Sequence, residues 1–138
     1  MPRFTPLLIL LLSLATAASA QVARPREAAD RMVAAAAARD ADAIAALYAT
    51  GAILLGPNQP VTSGREAIRD SWLRSFAGGY SALSIVEART ETGADRAAMA
   101  LVWEATIQPQ VVRGRSLIYF TQTAQGWLIS ADMWQPAP

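Results

Sequence analysis

Between residues 96 and 107 apolar and other positions alternate with a period of two. Met99, Leu101, Trp103, Ala105 and Ile107 share a wholly apolar face, while Ala98, Ala100, Val102, Glu104 and Thr106 share the opposite one. Such alternation predicts a strand with one face against a core. The chain ends on a similar pattern: Trp127, Ile129, Ala131 and Met133 on one face, Leu128, Ser130, Asp132 and Trp134 on a mixed one. A terminal segment frays unless it is tied into the structure, so residues 126–134 are expected to form a central strand. Residues 80–91 and 115–123 are also strand-like. Turn signals separate the four runs: Thr92-Gly93-Ala94-Asp95, the region from Pro109 to Gly114, and Ala124-Gln125-Gly126. Connections this short join antiparallel neighbours, which predicts a four-stranded meander.

The first half of the chain has helical spacing. Residues 27–39 form an alanine-rich helix with Ala28, Met32, Ala35 and Ala36 on one face, acidic at its start and basic at Arg39, as the helix dipole favours. Asp40-Ala41-Asp42 opens a second short helix carrying Ile44, Leu47 and Tyr48 on one face. Gly51 ends it, and Ile53-Leu54-Leu55 reads as a brief buried strand before the loop from Gly56 to Pro60. Ser63 and Glu66 have the spacing of a capping box, which places a third helix with Ala67, Ile68, Trp72 and Phe76 ahead of Gly78-Gly79. Helices followed by a meander define an α+β domain, with helices packed on one face of an antiparallel sheet.

Residues 1–20 stand apart from this pattern. Arg3, the apolar run 7–14 and Ala18-Ser19-Ala20 match a secretory signal peptide cleaved after Ala20, and the run is too short to span a bilayer. The domain is therefore expected over residues 21–138, exported to the periplasm or beyond the cell and free of the membrane after cleavage.

Composition then removes several chemistries. The formal charge of +1 falls to zero when Arg3 leaves with the leader, so there is no electrostatic footprint for nucleic acid. The absence of cysteine excludes disulfides and thiolate catalysis. The absence of histidine removes the commonest general base and transition-metal ligand. No metal or cofactor is expected, and any proton transfer would have to use Asp, Glu, Tyr or an unusual arginine.

Four segments carry a resemblance. They are Asp40 to Tyr48, the Ile53-Leu54-Leu55 strand, the Pro57 to Trp72 run with its Gly-Arg-Glu-Ala-Ile core, and the closing Gly126 to Trp134. Together they resemble the SnoaL-like families of the nuclear transport factor 2 superfamily, above all small secreted bacterial members of unassigned function. The resemblance implies a cone: a bent antiparallel sheet wrapped around three helices, a cystatin-like α+β barrel with a pocket at its open end, commonly dimeric through the sheet. Ketosteroid isomerase shares this fold, and its pattern would put an aspartate base eight positions after Tyr48, where this chain has Gly56. It would put an oxyanion tyrosine at the position of Met32, and a protonated aspartate within residues 115–123, which contain no acid. The histidine–aspartate arrangement of the polyketide cyclases of the family is absent too.

Two functions remain. One is an exported domain whose apolar cone binds a small hydrophobic ligand, dimerises, or does both. The other is a cofactor-independent isomerase, lyase or cyclase-like enzyme using Asp132, Glu104 or Tyr48. The expected pocket lining is Tyr48, Leu55, Trp72, Phe76, Met99, Trp103 and Met133, residues that ordinary core packing would suit as well. Alternation puts Asp132 and Trp134 on the outer face with Val102, Ile118 and Phe120. There they would join a homodimer, Asp132 pairing with an arginine across it, and no carboxylate would lie inside the cone.

Overall fold

The computed structural model describes residues 21–138, so the leader read at residues 1–20 lies outside the described residues. Helix α1 (Pro25–Ala37) begins with proline at its first position, where the missing N–H costs nothing, and buries Ala28, Ala29, Met32, Ala35 and Ala36. Helix α2 is a single short turn (Ala41–Ala45) capped by the Asp40 carboxylate, which accepts from the Ala43 N–H at 2.9 Å. Strand β1 (Tyr48–Leu55), the two-residue β2 (Thr62–Ser63) and helix α3 (Arg65–Ala77) follow. Strands β3 (Tyr80–Thr92), β4 (Arg96–Ile107), β5 (Gln110–Thr123) and β6 (Gly126–Pro136) complete the chain.

The six strands form one bent sheet in the order β2-β1-β6-β5-β4-β3, with the helices inside its curve. This is the mixed α+β architecture that the sequence predicts, with the sheet left open rather than closed into a barrel. Strands β3 to β6 are the expected antiparallel meander. The closing strand is central, running between β5 and β1 and pairing with β1 in parallel. That parallel pair is the one arrangement the short connections did not announce, since β1 reaches β6 across the whole intervening chain.

Two local expectations change. Helix α2 stops at Ala45, and Tyr48 is the first residue of β1 rather than part of a helical face. Ser63 does not cap α3: it pairs with Ile53 in β2, and the residue before the helix is Gly64, with no side-chain cap. The start of α3 serves β1 instead. Between Tyr48 and Ile53 the β1 chain takes five steps while β6 takes two, from Ile129 to Ala131. The excess backbone needs partners, and α3 supplies them: Arg65 Nε donates to the Tyr48 carbonyl at 2.8 Å, and the Gly64 N–H donates to the Ala52 carbonyl at 2.8 Å. Arg65 is thus a positioning residue for Tyr48.

A second irregularity decides which side chains enter the cone. Tyr119 pairs with Ala131, but Phe120 pairs with Ile129, so Ser130 is an extra residue on β6. Its hydroxyl lies 2.6 Å from that of Thr121, which secures the bulge. One inserted residue exchanges the two faces of everything beyond it. Trp127 and Ile129 face the core as expected, but past the bulge Met133 turns outward, 51% exposed, while Asp132 turns inward, 6% exposed. Trp134 follows Asp132 to the inside, where its ring meets that of Trp103 at 6.2 Å.

On β5 the expected assignment is also reversed. Residues 116–120 offer apolar side chains to both faces, so alternation gives them no phase; the pairing does. Ile118 lies opposite Met99 and Phe120 opposite Ala97, both inward residues of β4, and direct antiparallel partners share a face. Ile118 and Phe120 are therefore core, and Leu117 and Tyr119 take the outer face, 51% and 43% exposed.

Candidate functional site

A cavity of about 340 Å³ opens between the helices and the inner face of the sheet. Its walls are Ala29 and Met32 of α1, Trp72 of α3, Leu83 and Ile85 of β3, Leu101 and Trp103 of β4, Ile118 of β5 and Ile129 of β6. Into this apolar space β1 brings Tyr48 and β6 brings Asp132. The two strands are neighbours in the sheet, so residues 84 positions apart meet: the Tyr48 hydroxyl donates to Asp132 Oδ2 at 2.9 Å. Oδ1 of Asp132 is buried and has no partner.

A carboxylate loses its hydration when buried, which favours the protonated form. Burial pushes the Asp132 carboxyl up to about 6, even though the Tyr48 hydrogen bond favours its charged form. The phenol moves the same way: burial, then the neighbouring Asp132 charge, hold Tyr48 well above its usual value, with an opposing contribution from the Trp72 indole. Tyr80 is also raised by burial. The pair is thus a carboxyl poised near neutrality beside a phenol that stays protonated. It can donate, accept or exchange a proton with a molecule in the cavity.

Aromatic rings set the rest of the wall. Trp72 meets Tyr80 edge to face at 5.2 Å, and Phe76 packs against both from behind. The Trp103 indole lies over Gly114, where an added Cβ would stand 2.1 Å from the ring, and its Nε1 donates to Ser116 Oγ at 3.0 Å. Only glycine leaves room for that ring to lie flat, so Gly114 and Ser116 together fix the Trp103 wall. Gly56, the position where the isomerase pattern would have its base, faces the Trp134 indole; a Cβ there would be 3.2 Å from the ring.

Of the seven residues expected to line a pocket, Tyr48, Trp72 and Trp103 line this cavity. Leu54 lines it in place of Leu55, because it shares the inward phase of Tyr48 and Ala52 on β1 and lies opposite Asp132, whereas Leu55 lies opposite the outward Met133. Phe76 and Met99 are buried in the core away from the lining, and Met133 is on the outside. Glu104 lies half-buried on the outer phase of β4, opposite Arg113, and takes no part in the cavity. The expectation that no carboxylate enters the cone fails at Asp132. The signal that could have found it was the tyrosine–aspartate pair itself, invisible without the bulge. Among the described residues no three acids gather in a way that could hold a metal ion.

A bent open sheet closing on three helices, with an inward-facing cavity, is the architecture of the cystatin-like folds. The SnoaL-like domain model matches residues 29–126, and the chain belongs to that family. No curated protein matches the sequence. Among solved structures, the chain is similar to a ketosteroid isomerase-like protein from Erwinia carotovora atroseptica, with 22% identity, a TM-score of 0.67, and 82% of this chain and 94% of that one covered. It is also similar to a nuclear transport factor 2-like protein of unknown function from Pseudomonas putida, with 18% identity, a TM-score of 0.72, and 82% and 83% covered. A third likeness is to a nuclear transport factor 2-like protein with a cystatin-like fold from Novosphingobium aromaticivorans, with 19% identity, a TM-score of 0.67, and 80% and 78% covered. Likeness at this identity carries the fold, and the site must be argued from its own residues.

Proposed function

We propose that this is an exported SnoaL-like domain that binds one small, largely apolar molecule in the cone, anchored by Asp132 and Tyr48. The observation that carries the reading is a hydrogen-bonded Tyr48–Asp132 pair buried in a mainly apolar cavity of about 340 Å³, within the size range of small-molecule sites. A cavity kept only for packing gains nothing from a buried carboxyl whose second oxygen lacks a partner. The test is to purify the protein from its own host, denature it and identify any released molecule by mass spectrometry. A stoichiometric compound that is absent from Leu83→Trp, which fills the cavity from β3, is the expected result. An empty native protein that responds to no apolar probe would overturn the reading.

A second reading is favoured by the titration of Asp132 near neutrality: the same pair would serve a cofactor-independent isomerase or lyase, Asp132 moving the proton and Tyr48 holding it in place. Glu104 drops out of that reading because it faces outward. Association also has a surface. A groove on the outer sheet face runs between Val102, Leu117 and Met133 and is flanked by Glu87, Arg89 and Arg115. We assign the homodimer to this groove, with Leu117, Tyr119 and Met133 in place of the Phe120, Asp132 and Trp134 that alternation suggested. Sedimentation should show a dimer that Leu117→Arg converts to a folded monomer; a wild-type monomer at high concentration would remove it.

A further inference from the structure

We propose that the molecule taken by the cavity is an organic cation: a ring-bearing amine whose ammonium group pairs with Asp132. The inference rests on the cavity being a ligand site and adds the charge and shape of what enters it.

Charge comes first. The ion pairs Arg26 with Asp30, Arg69 with Asp42 and Arg96 with Asp95 lie at the surface. Asp132 is the buried acid among the described residues, and its partner is a phenol rather than a cation. A buried carboxylate normally has a counter-charge. Helices α1 and α3 bring no charged side chain to the lining, and β1 and β3 bring Tyr48 and Tyr80. The one basic lining residue, Arg113, sits on the outward phase of β5 beside the inward Gly114 and is exposed. The protein therefore leaves the counter-charge of Asp132 to be supplied from outside. The last torsion of an aspartate is soft, so the carboxyl can turn its unpartnered oxygen to a ligand while Tyr48 keeps the other.

The walls agree. The faces and edges of Trp72, Tyr80, Trp103 and Trp134 surround the same space, and aromatic rings attract an ammonium most where water is excluded. Trp103 is held in place by Ser116, so this wall exists before the ligand arrives. An anion would meet the Asp132 charge with no buried cation to offset it. A neutral alcohol would satisfy one oxygen and leave the charge uncompensated. The volume is roughly twice the 150 Å³ of a cavity that accepts benzene, which suits a two-ring ligand.

The test uses three probes of one shape: 1-naphthylmethylamine, 1-naphthalenemethanol and 1-naphthoic acid, titrated into the full mature protein by calorimetry. At about pH 8 the amine should bind about tenfold or more tightly than the alcohol, and the acid weakest. Asp132→Asn should erase the preference for the amine while still binding the alcohol, which also certifies that the variant is folded. Lowering the pH to about 5, where the Asp132 carboxyl takes up its proton, should weaken the amine about tenfold and leave the alcohol nearly unchanged. An alcohol that equals the amine, or an acid that exceeds it, overturns the cation and leaves the cavity standing. If none of the three binds to the folded protein, the cavity reading falls with it.

Discussion

Asp132→Asn is expected to stabilise the protein relative to wild type by an amount that grows with pH. The carboxyl titrates at about 6 when folded against 3.8 as the ordinary value. Between about pH 4 and pH 6 the folded state therefore holds a proton that the unfolded state has released. Wild-type stability falls as pH rises through that window and levels off above it. The shift corresponds to about 3 kcal/mol, which would lower Tm by on the order of 10 °C for a domain of this size. The asparagine variant cannot titrate, so its advantage should be about 2 kcal/mol larger at pH 7 than at pH 4 in urea unfolding. An advantage that stays level with pH would mean that the carboxyl is solvated, as on the outer face it would be. An advantage that grows with pH would trace the instability to the same buried carboxyl that the proposed ligand site uses.

Phe120→Ala should destabilise the protein by about 3–5 kcal/mol, the range for emptying a fully buried phenylalanine site. Phe120 is 0% exposed and packs in the cluster that contains Ala97, Ile118 and Ile129. The same change on a solvent-facing strand would cost within about 0.5 kcal/mol and would act, if at all, on association. Urea unfolding and sedimentation of the one variant therefore separate the two placements. A large loss of stability with unchanged sedimentation behaviour is the expected outcome. Unchanged stability with a weakening of the proposed dimer would return Phe120 to the outer sheet.

These two residues also mark where the sequence was legible. Residues 96–107 declared their faces without ambiguity, and Met99, Leu101 and Ala105 are buried as the alternation requires. The alanine spacing of α1 and the turn signals around Gly93 and Gly126 likewise placed their elements within a few residues. Beyond them, alternation failed for two different reasons. In residues 116–120 both faces are apolar, so the pattern has no phase until a partner strand supplies one. In residues 127–134 the pattern has a phase, but the bulge at Ser130 resets it halfway, and a serine between isoleucine and alanine gives no local sign of that. Because Asp132 lies two residues past the reset, the candidate site was displaced from the interior to the exterior by a single inserted residue. Tyr48 was found for a different reason than the one that matters. Its apolar ring suits a helix face or a strand equally, but only the strand, with Arg65 holding its carbonyl, brings its hydroxyl to Asp132.

The central claim is that the Asp132 carboxyl is inside the cone, beside Tyr48, and available to a ligand. The most direct measurement is a carbon-13 NMR titration of the Asp132 side-chain carboxyl in the mature protein, assigned by its loss in Asp132→Asn. The expected result is a transition near 6 in the free protein, moved downward when 1-naphthylmethylamine occupies the cavity, because an opposite charge favours the ionised form. A transition at about 4 or below, unchanged by the amine, would place the carboxyl in solvent or in an ion pair and contradict it.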